Sequence, residues 1–427
     1  MATGKRSLRS SPKNIRIKIM SHTLTLPGHQ HATRRPPPAE IISQAIPALA
    51  ELARGYTFKE IERLVAQGKS AIWGGASWEA PLIRACDTIP IGINELWRED
   101  SLHAEAVSEN HFQIPGEFCS MIKAMVGRLH LKKNDPIKRI LVFGSTCEPI
   151  GISLEHARRE GYDIFTIDAV TAFKPEERRE ELVHFLVKEL EKVAIWLTGK
   201  PVDEEKVRAE IKLKNRVSRK IRRILDLRLQ HPFFLPSLPT LQILFGSIHY
   251  YGNPERFDTI LDQLTAELEV AGQNPPDRPY IPLVLAGLIG GIVGGRGLLQ
   301  AIEESNGVIL GWVLFSTSDF REDLPPLEAI AHYLFDAQVK GELGEGAGAS
   351  ATYRRVRVEE LVKQTKARGI ISSFVTGCPY GSVVQGLERE YFKKQGIPMV
   401  ALETTVHDQP PTEEQITKVK TFIEILS

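Results

Sequence analysis

Two stretches constrain the fold of this chain more than any others: RILVFGSTC at 139–147 and GIISSFVTGC at 369–378. Each is a short apolar run, too brief for a helix, that ends on a cysteine. An uninterrupted run of this kind suits a strand covered on both faces, the environment of a parallel sheet flanked by helices. Beyond Cys378, Pro379, Gly381 and the spacing of Val383, Val384, Leu387 and Tyr391 predict a helix starting within a few residues. A thiol at such a junction meets the positive end of the helix dipole and free N–H groups, which favour thiolate and so a metal ligand or nucleophile. The segment is satisfied about equally by a buried cysteine acting as a small apolar side chain.

The chain has four cysteines, and the remaining two divide by position. In HFQIPGEFCSMIKAMVGRL, Pro115 is predicted to open a helix whose apolar face is Phe118, Ile122, Met125, Val126 and Leu129, which puts Cys119 in its first turn. Cys86 falls mid-helix in APLIRAC beside Leu82 and Ile83, where a structural role is the better reading. Cys119, Cys147 and Cys378 thus share one kind of place, a strand end or a helix start. Ligands of open parallel sheets gather outside the carboxyl ends of the strands, so two such domains facing each other could converge these thiols on one point. Three thiolates without an obvious fourth partner suit either an iron–sulfur cluster with one open iron or a zinc ion completed by water or histidine. Their wide spacing matches no compact CxxC finger or ferredoxin run and does not choose between the metals.

Strands SAIWGG at 70–75, TIPIGI at 88–93, GVILGWVLFST at 307–317 and PMVALETT at 398–405 alternate with helical segments, which predicts an α/β protein with parallel sheets. The 427 residues exceed what one core serves, so two domains are expected. We place a disordered basic tail at 1–38, an N-terminal helical segment with the first α/β domain at 39–235, and the second α/β domain at 236–427, with Met20 a second potential start. A formal net charge of +1 argues against nucleic acid as a partner. Few cysteines and no secretory signal suggest reduced thiols and a cytoplasmic location.

Two further features invite functional readings. Seven Lys and Arg between Lys212 and Arg223 offer either a solvated helix face or a site for CoA phosphates or an acidic partner. The run PLVLAGLIGGIVGGRGLLQAIEE holds neither GxGxxG nor GK[ST], so it is neither a dinucleotide fingerprint nor a P-loop, and Arg296 and its short length exclude a membrane span.

Taken in order, EFCSMIKAMVG, FGSTCEP, KNRVSRKIRRILDLR, the strand–glycine–helix unit at 283–304 and the closing GIISSFVTGC…GIPMVALE…EEQITKVKTFIEIL resemble subunits of the 2-hydroxyacyl-CoA dehydratase and benzoyl-CoA reductase family, from about residue 60 onward. The resemblance implies two flavodoxin-like domains and a [4Fe–4S] cluster on Cys119, Cys147 and Cys378. It also implies a radical dehydratase or reductase acting on acyl-CoA or aryl-CoA thioesters through a ketyl-type radical anion. Its electron would come from a separate ATP-hydrolysing iron–sulfur activator, and a related cluster-bearing subunit or second copy would complete a dimer. The alternatives are an electron-transfer subunit or ATP-coupled low-potential reductase for a small non-CoA substrate, and a noncatalytic cluster-bearing partner.

The sequence departs from the family pattern in three places. EAPL at Glu79–Leu82 replaces the usual PEEL, leaving Glu79 as a weak acid–base candidate. LETT sets Thr404 or Thr405 where an aspartate is usual, and GELGEGAGAS, read as a flexible loop, replaces a Pro-Cys stretch. Too few cysteines remain for a double-cubane cluster.

Overall fold

The computed structural model describes residues 43–74, 79–92, 100–143, 148–167, 175–273, 278–287, 296–313, 317–339, 351–406 and 410–427. The expected tail at 1–38, Cys147, the glycine-rich turn after Gly287 and the loop GELGEGAGAS lie outside the described residues.

The apolar runs become strands that pair only in parallel. β1 (Ser70–Gly74), β2 (Thr88–Ile91), β3 (Arg139–Phe143) and β4 (Asp163–Ile167) form a sheet of order β2-β1-β3-β4. Trp73 lies opposite Ile91 on one side and Ile140 on the other, and Phe143 pairs with Ile167. β5 (Ile281–Gly287), β6 (Gly307–Trp312), β7 (Gly369–Val375) and β8 (Met399–Thr404) repeat the pattern as β6-β5-β7-β8. This is the flavodoxin-like order, with a switch point between the first and third strands of each sheet, so the expected α/β class with two parallel sheets is what the chain adopts. β7, flanked on both sides, is buried along its whole length.

Two helices tie the sheets together. α1 (Ala45–Gly55) packs against α9 (Ser237–His249) and α10 (Pro254–Ala271) in the core of the second sheet. Its start is fixed by Glu267 of α10, whose carboxylate accepts the N–H groups of Gln44 and Ala45 in place of a capping side chain. α8 (Glu204–Gln230) is capped by Asp203, which accepts from the N–H groups of Glu205 and Lys206. At 27 residues it is about 40 Å long. Its Val207 and Ile211 sit in the first core with α7 (Arg179–Thr198), whereas Val217, Ile221, Ile224 and Leu227 sit in the second. α12 (Pro326–Val339) crosses the other way, contributing Ile330, Leu334 and Phe335 to the first core although it follows β6.

The basic stretch of α8 is largely a solvent-exposed face whose cations are paired with acids of neighbouring segments. Arg216 and Lys220 pair with Asp258, Lys220 also with Asp262, Arg223 with Glu269, and Arg219 and Arg222 with Asp319. Lys214 turns inward to the carbonyl of Ser247. Six of the seven cations thus serve to dock α10, α9 and the segment after β6.

Candidate thiol site between the lobes

Cys119 is the N-cap of α5 (Ser120–Leu131) rather than a residue of its first turn. Residues 115–118 make a separate turn, closed by Phe118 N–H to the Pro115 carbonyl at 3.0 Å, and the helix begins when the Cys119 carbonyl accepts from Ile122 and Lys123. Cys378 is the N-cap of α14 (Pro379–Lys394), directly after β7. Its sulfur accepts the N–H of Gly381 at 3.3 Å, and so takes one of the donors that a helix start leaves open.

The two helix starts meet. Ser120 N–H donates to the Thr376 carbonyl at 3.1 Å, so the chain entering α5 is hydrogen-bonded to the chain entering α14. Gly377 makes this approach feasible. Its φ is +76°, in the left-handed region, and a Cβ there would lie 2.6 Å from the carbonyl oxygens of both Glu117 and Phe118. The consequence is that Cys119 and Cys378 come together in one apolar cluster. The neighbouring Cys378 thiol, then burial, pushes the Cys119 thiol far above the usual range, while the N–H groups of Ile122 and Met121 act in the opposite direction without closing a cap. Cys119 is 4% exposed and Cys378 only half-buried.

A network fixes the Cys119 side. Lys123, one turn into α5, pairs with Glu105 and Glu109 of α4 (Ser101–His111) and donates to the Gly116 carbonyl at 2.6 Å. Ser120 donates to Glu105, and Ser108 donates to the Lys123 carbonyl at 2.5 Å. Sequence reading passed over Lys123, although a lysine in the otherwise apolar run SMIKAMVG was the available signal. On the other side lies Thr404, the first threonine of LETT. It is buried, exchanges a hydroxyl contact of 3.1 Å with Ser373, and accepts the Thr376 N–H on its carbonyl at 2.8 Å.

The other predicted residues fall as follows. Cys147 belongs to the connection between β3 and α6 (Glu148–Arg159), outside the described residues, but Val142 and Ile150 on either side of it belong to the same apolar cluster as both thiols. Cys86 is not mid-helix. It ends the short α3 (Ala80–Ala85), packs in the first core with Leu82 and Leu186, and has its thiol pushed up to about 11 by burial and the Asp87 carboxylate. Glu79 is buried at the N-cap of α3, closing no capping bond. Among the described residues, no group of three or more His, Cys, Asp and Glu is placed to hold a metal ion, and no helix is long and apolar enough to cross a membrane. The described donors are therefore a pair of soft sulfurs from opposite lobes, a set that thiophilic metals and iron–sulfur clusters prefer.

Comparison with known proteins agrees with this architecture. The chain is similar to a protein of Escherichia coli (strain K12) provisionally named dehydratase subunit YjiM, with 23% identity over 333 residues, covering 75% of this chain and 84% of that protein. Residues 79–426, nearly the whole described structure from α3 onward, match the family described as 2-hydroxyglutaryl-CoA dehydratase, D-component. The chain belongs to that dehydratase-subunit family.

Proposed function

We propose that this chain is the iron–sulfur subunit of a radical CoA-thioester dehydratase of the 2-hydroxyacyl-CoA type, with Cys119, Cys147 and Cys378 as the cluster ligands. The observation that carries the reading is the contact of Cys119 and Cys378, which are 259 positions apart in sequence and come from opposite lobes, each at a helix start. Helix starts supply N–H donors and positive dipole ends to charge that accumulates on sulfur. A [4Fe–4S] cluster there would supply one low-potential electron and an iron without a cysteine ligand, able to polarise a thioester carbonyl.

The chain's own contribution is positional. Gly377 lets the lobes close, Lys123 holds the turn that delivers Cys119, and Gly381 N–H orients the Cys378 sulfur. The reading calls for a separate ATP-hydrolysing iron–sulfur activator, a related subunit or second copy, and an acyl-CoA substrate; an aryl-CoA reductase would use the same site for a net two-electron reduction of an aryl-CoA thioester. Thr404 favours a second reading. Its hydroxyl is engaged with Ser373 and the Phe374 carbonyl, and the resemblance implies an acid at Thr404 or Thr405, which suits a cluster-bearing subunit whose catalytic acid resides in its partner.

The test is anaerobic purification with iron, zinc and acid-labile sulfide analysis. Cys378→Ala is expected to lose the brown chromophore and Cys86→Ala to keep it. Zinc without sulfide, or colour that survives Cys378→Ala, would overturn the ligand assignment. Given an activator, an EPR signal perturbed by an acyl-CoA supports the thioester substrate, and indifference to every acyl-CoA supports the low-potential reductase for a small non-CoA substrate.

A further inference from the structure

We infer that Cys119 and Cys378, when no metal group occupies them, close into a disulfide that fastens one lobe to the other and withdraws both sulfurs from ligation. The inference stands whether or not a cluster ever binds, because it uses only the two side chains and the backbone around them.

Disulfides form only where Cα atoms already lie about 4.4–6.8 Å apart and the Cβ vectors converge. The backbone here brings the two cysteine-bearing segments together before any bond is made. Ser120 N–H is bonded to the Thr376 carbonyl at 3.1 Å, Gly377 lies against Glu117 and Phe118, and both cysteines belong to one apolar cluster. Most reactive pairs join a sulfur that solvent can reach to one that it cannot. Cys378 is half-buried with its sulfur held by Gly381 N–H, whereas Cys119 is 4% exposed. Cys86 cannot compete, since it lies in the first core.

The oxidant is a low-molecular-weight disulfide. The Cys378 thiolate attacks one sulfur of oxidised glutathione and releases one glutathione thiolate, leaving a mixed disulfide. Cys119 then attacks the Cys378 sulfur of that mixed disulfide and releases the second glutathione. Two protein thiols lose two electrons and two protons, and one glutathione disulfide becomes two thiols. The second step is intramolecular, between sulfurs on two adjoining helix starts, and the proton of the Cys119 thiol leaves with the departing glutathione.

The experiment uses the full chain, purified reduced and metal-free, and treated anaerobically with oxidised glutathione. Unreacted thiols are then alkylated and the chain is digested with trypsin. Cys119 lies in the peptide 99–123, Cys378 in 369–389 and Cys147 in 140–158. The expected result is the loss of two alkylatable thiols, with peptides 99–123 and 369–389 joined: from four to two in the natural sequence and from three to one in Cys147→Ser and in Cys86→Ser. Dithiothreitol should restore the lost pair in each case. Separate glutathione adducts on Cys119 and Cys378, a link from either to 140–158, or four thiols left unreacted would each overturn the inference.

Discussion

Lys214 is a buried amine with no acidic partner among the described residues, and its replacement should change how stability depends on pH. The side chain is fully buried on α8 and donates to the Ser247 carbonyl near the end of α9 at 2.8 Å. The charged group that bears on it is another cation, Arg84, itself paired with Glu210. Burial first, and Arg84 second, bring its pKa from 10.5 to about 7. Because the folded value is the lower one, the penalty is fully present below pH 7 and is relieved as pH rises toward the unfolded value. By linkage it amounts to about 4 kcal/mol at pH 7 and about 2 kcal/mol at pH 9. Lys214→Met removes the penalty but leaves the Ser247 carbonyl without its donor, at a pH-independent cost of about 1–3 kcal/mol. The absolute effect at one pH is therefore ambiguous and the slope is diagnostic. In urea denaturation under reducing conditions, the natural protein should gain about 2 kcal/mol relative to Lys214→Met between pH 7 and pH 9. Parallel curves, to within about 0.5 kcal/mol, would refute a neutral lysine at this position.

Other perturbations address the thiol site and its supports. Gly377→Ala places a methyl group 2.6 Å from two carbonyl oxygens in a left-handed conformation, and should cost about 2–4 kcal/mol in urea denaturation while abolishing the Cys119–Cys378 crosslink. Lys123→Met strands Glu105 and frees the Gly116 carbonyl, so a loss of about 2–4 kcal/mol is expected by the same assay, and Lys123→Arg should recover part of it. Arg354 and Glu388 form a pair, each side chain 1% exposed, that joins α13 (Ala351–Thr365) to α14 and lies over Phe374; Arg354→Met should cost about 3–5 kcal/mol by leaving the carboxylate uncompensated. Thermal melts that coincide with the natural protein would contradict these assignments.

Strands β3 and β7 could be read from the sequence because a strand covered on both faces is apolar throughout. β4, the sequence DIFTI, was not, since an edge strand with mostly half-buried residues carries little more apolar signal than a loop. α13 escaped for a different reason. Its buried face includes Arg354, so the helix that packs against β5 and β6 reads as polar along its length. The cysteine positions were visible as strand ends and helix starts. That two of them touch depends on the left-handed Gly377 and on how two sheets are set against each other, and no local pattern encodes either. The basic run of α8 was legible as charge, but not its pairing: the acidic partners Asp258, Asp262, Glu269 and Asp319 lie 38 to 100 positions away.

What holds the thiols in contact is the way α8 belongs to both cores. A straight helix whose first two turns are buried in one lobe and whose last three are buried in the other transmits displacement of either lobe as a rigid rod, and α12 crosses back in the opposite direction. Neither lobe can then lose its core without exposing apolar surface of the other, so the two should unfold together although each has its own sheet. Ile221→Ala, on the second-core side of α8, is expected to cost about 2–4 kcal/mol. It should lower by the same amount the free energy that amide exchange reports for β1 and β3 of the first sheet. A loss confined to β5–β8, with exchange in the first sheet unchanged, would mean that the lobes open independently. The contact between Cys119 and Cys378 would then be one state among several rather than a fixed feature of the fold.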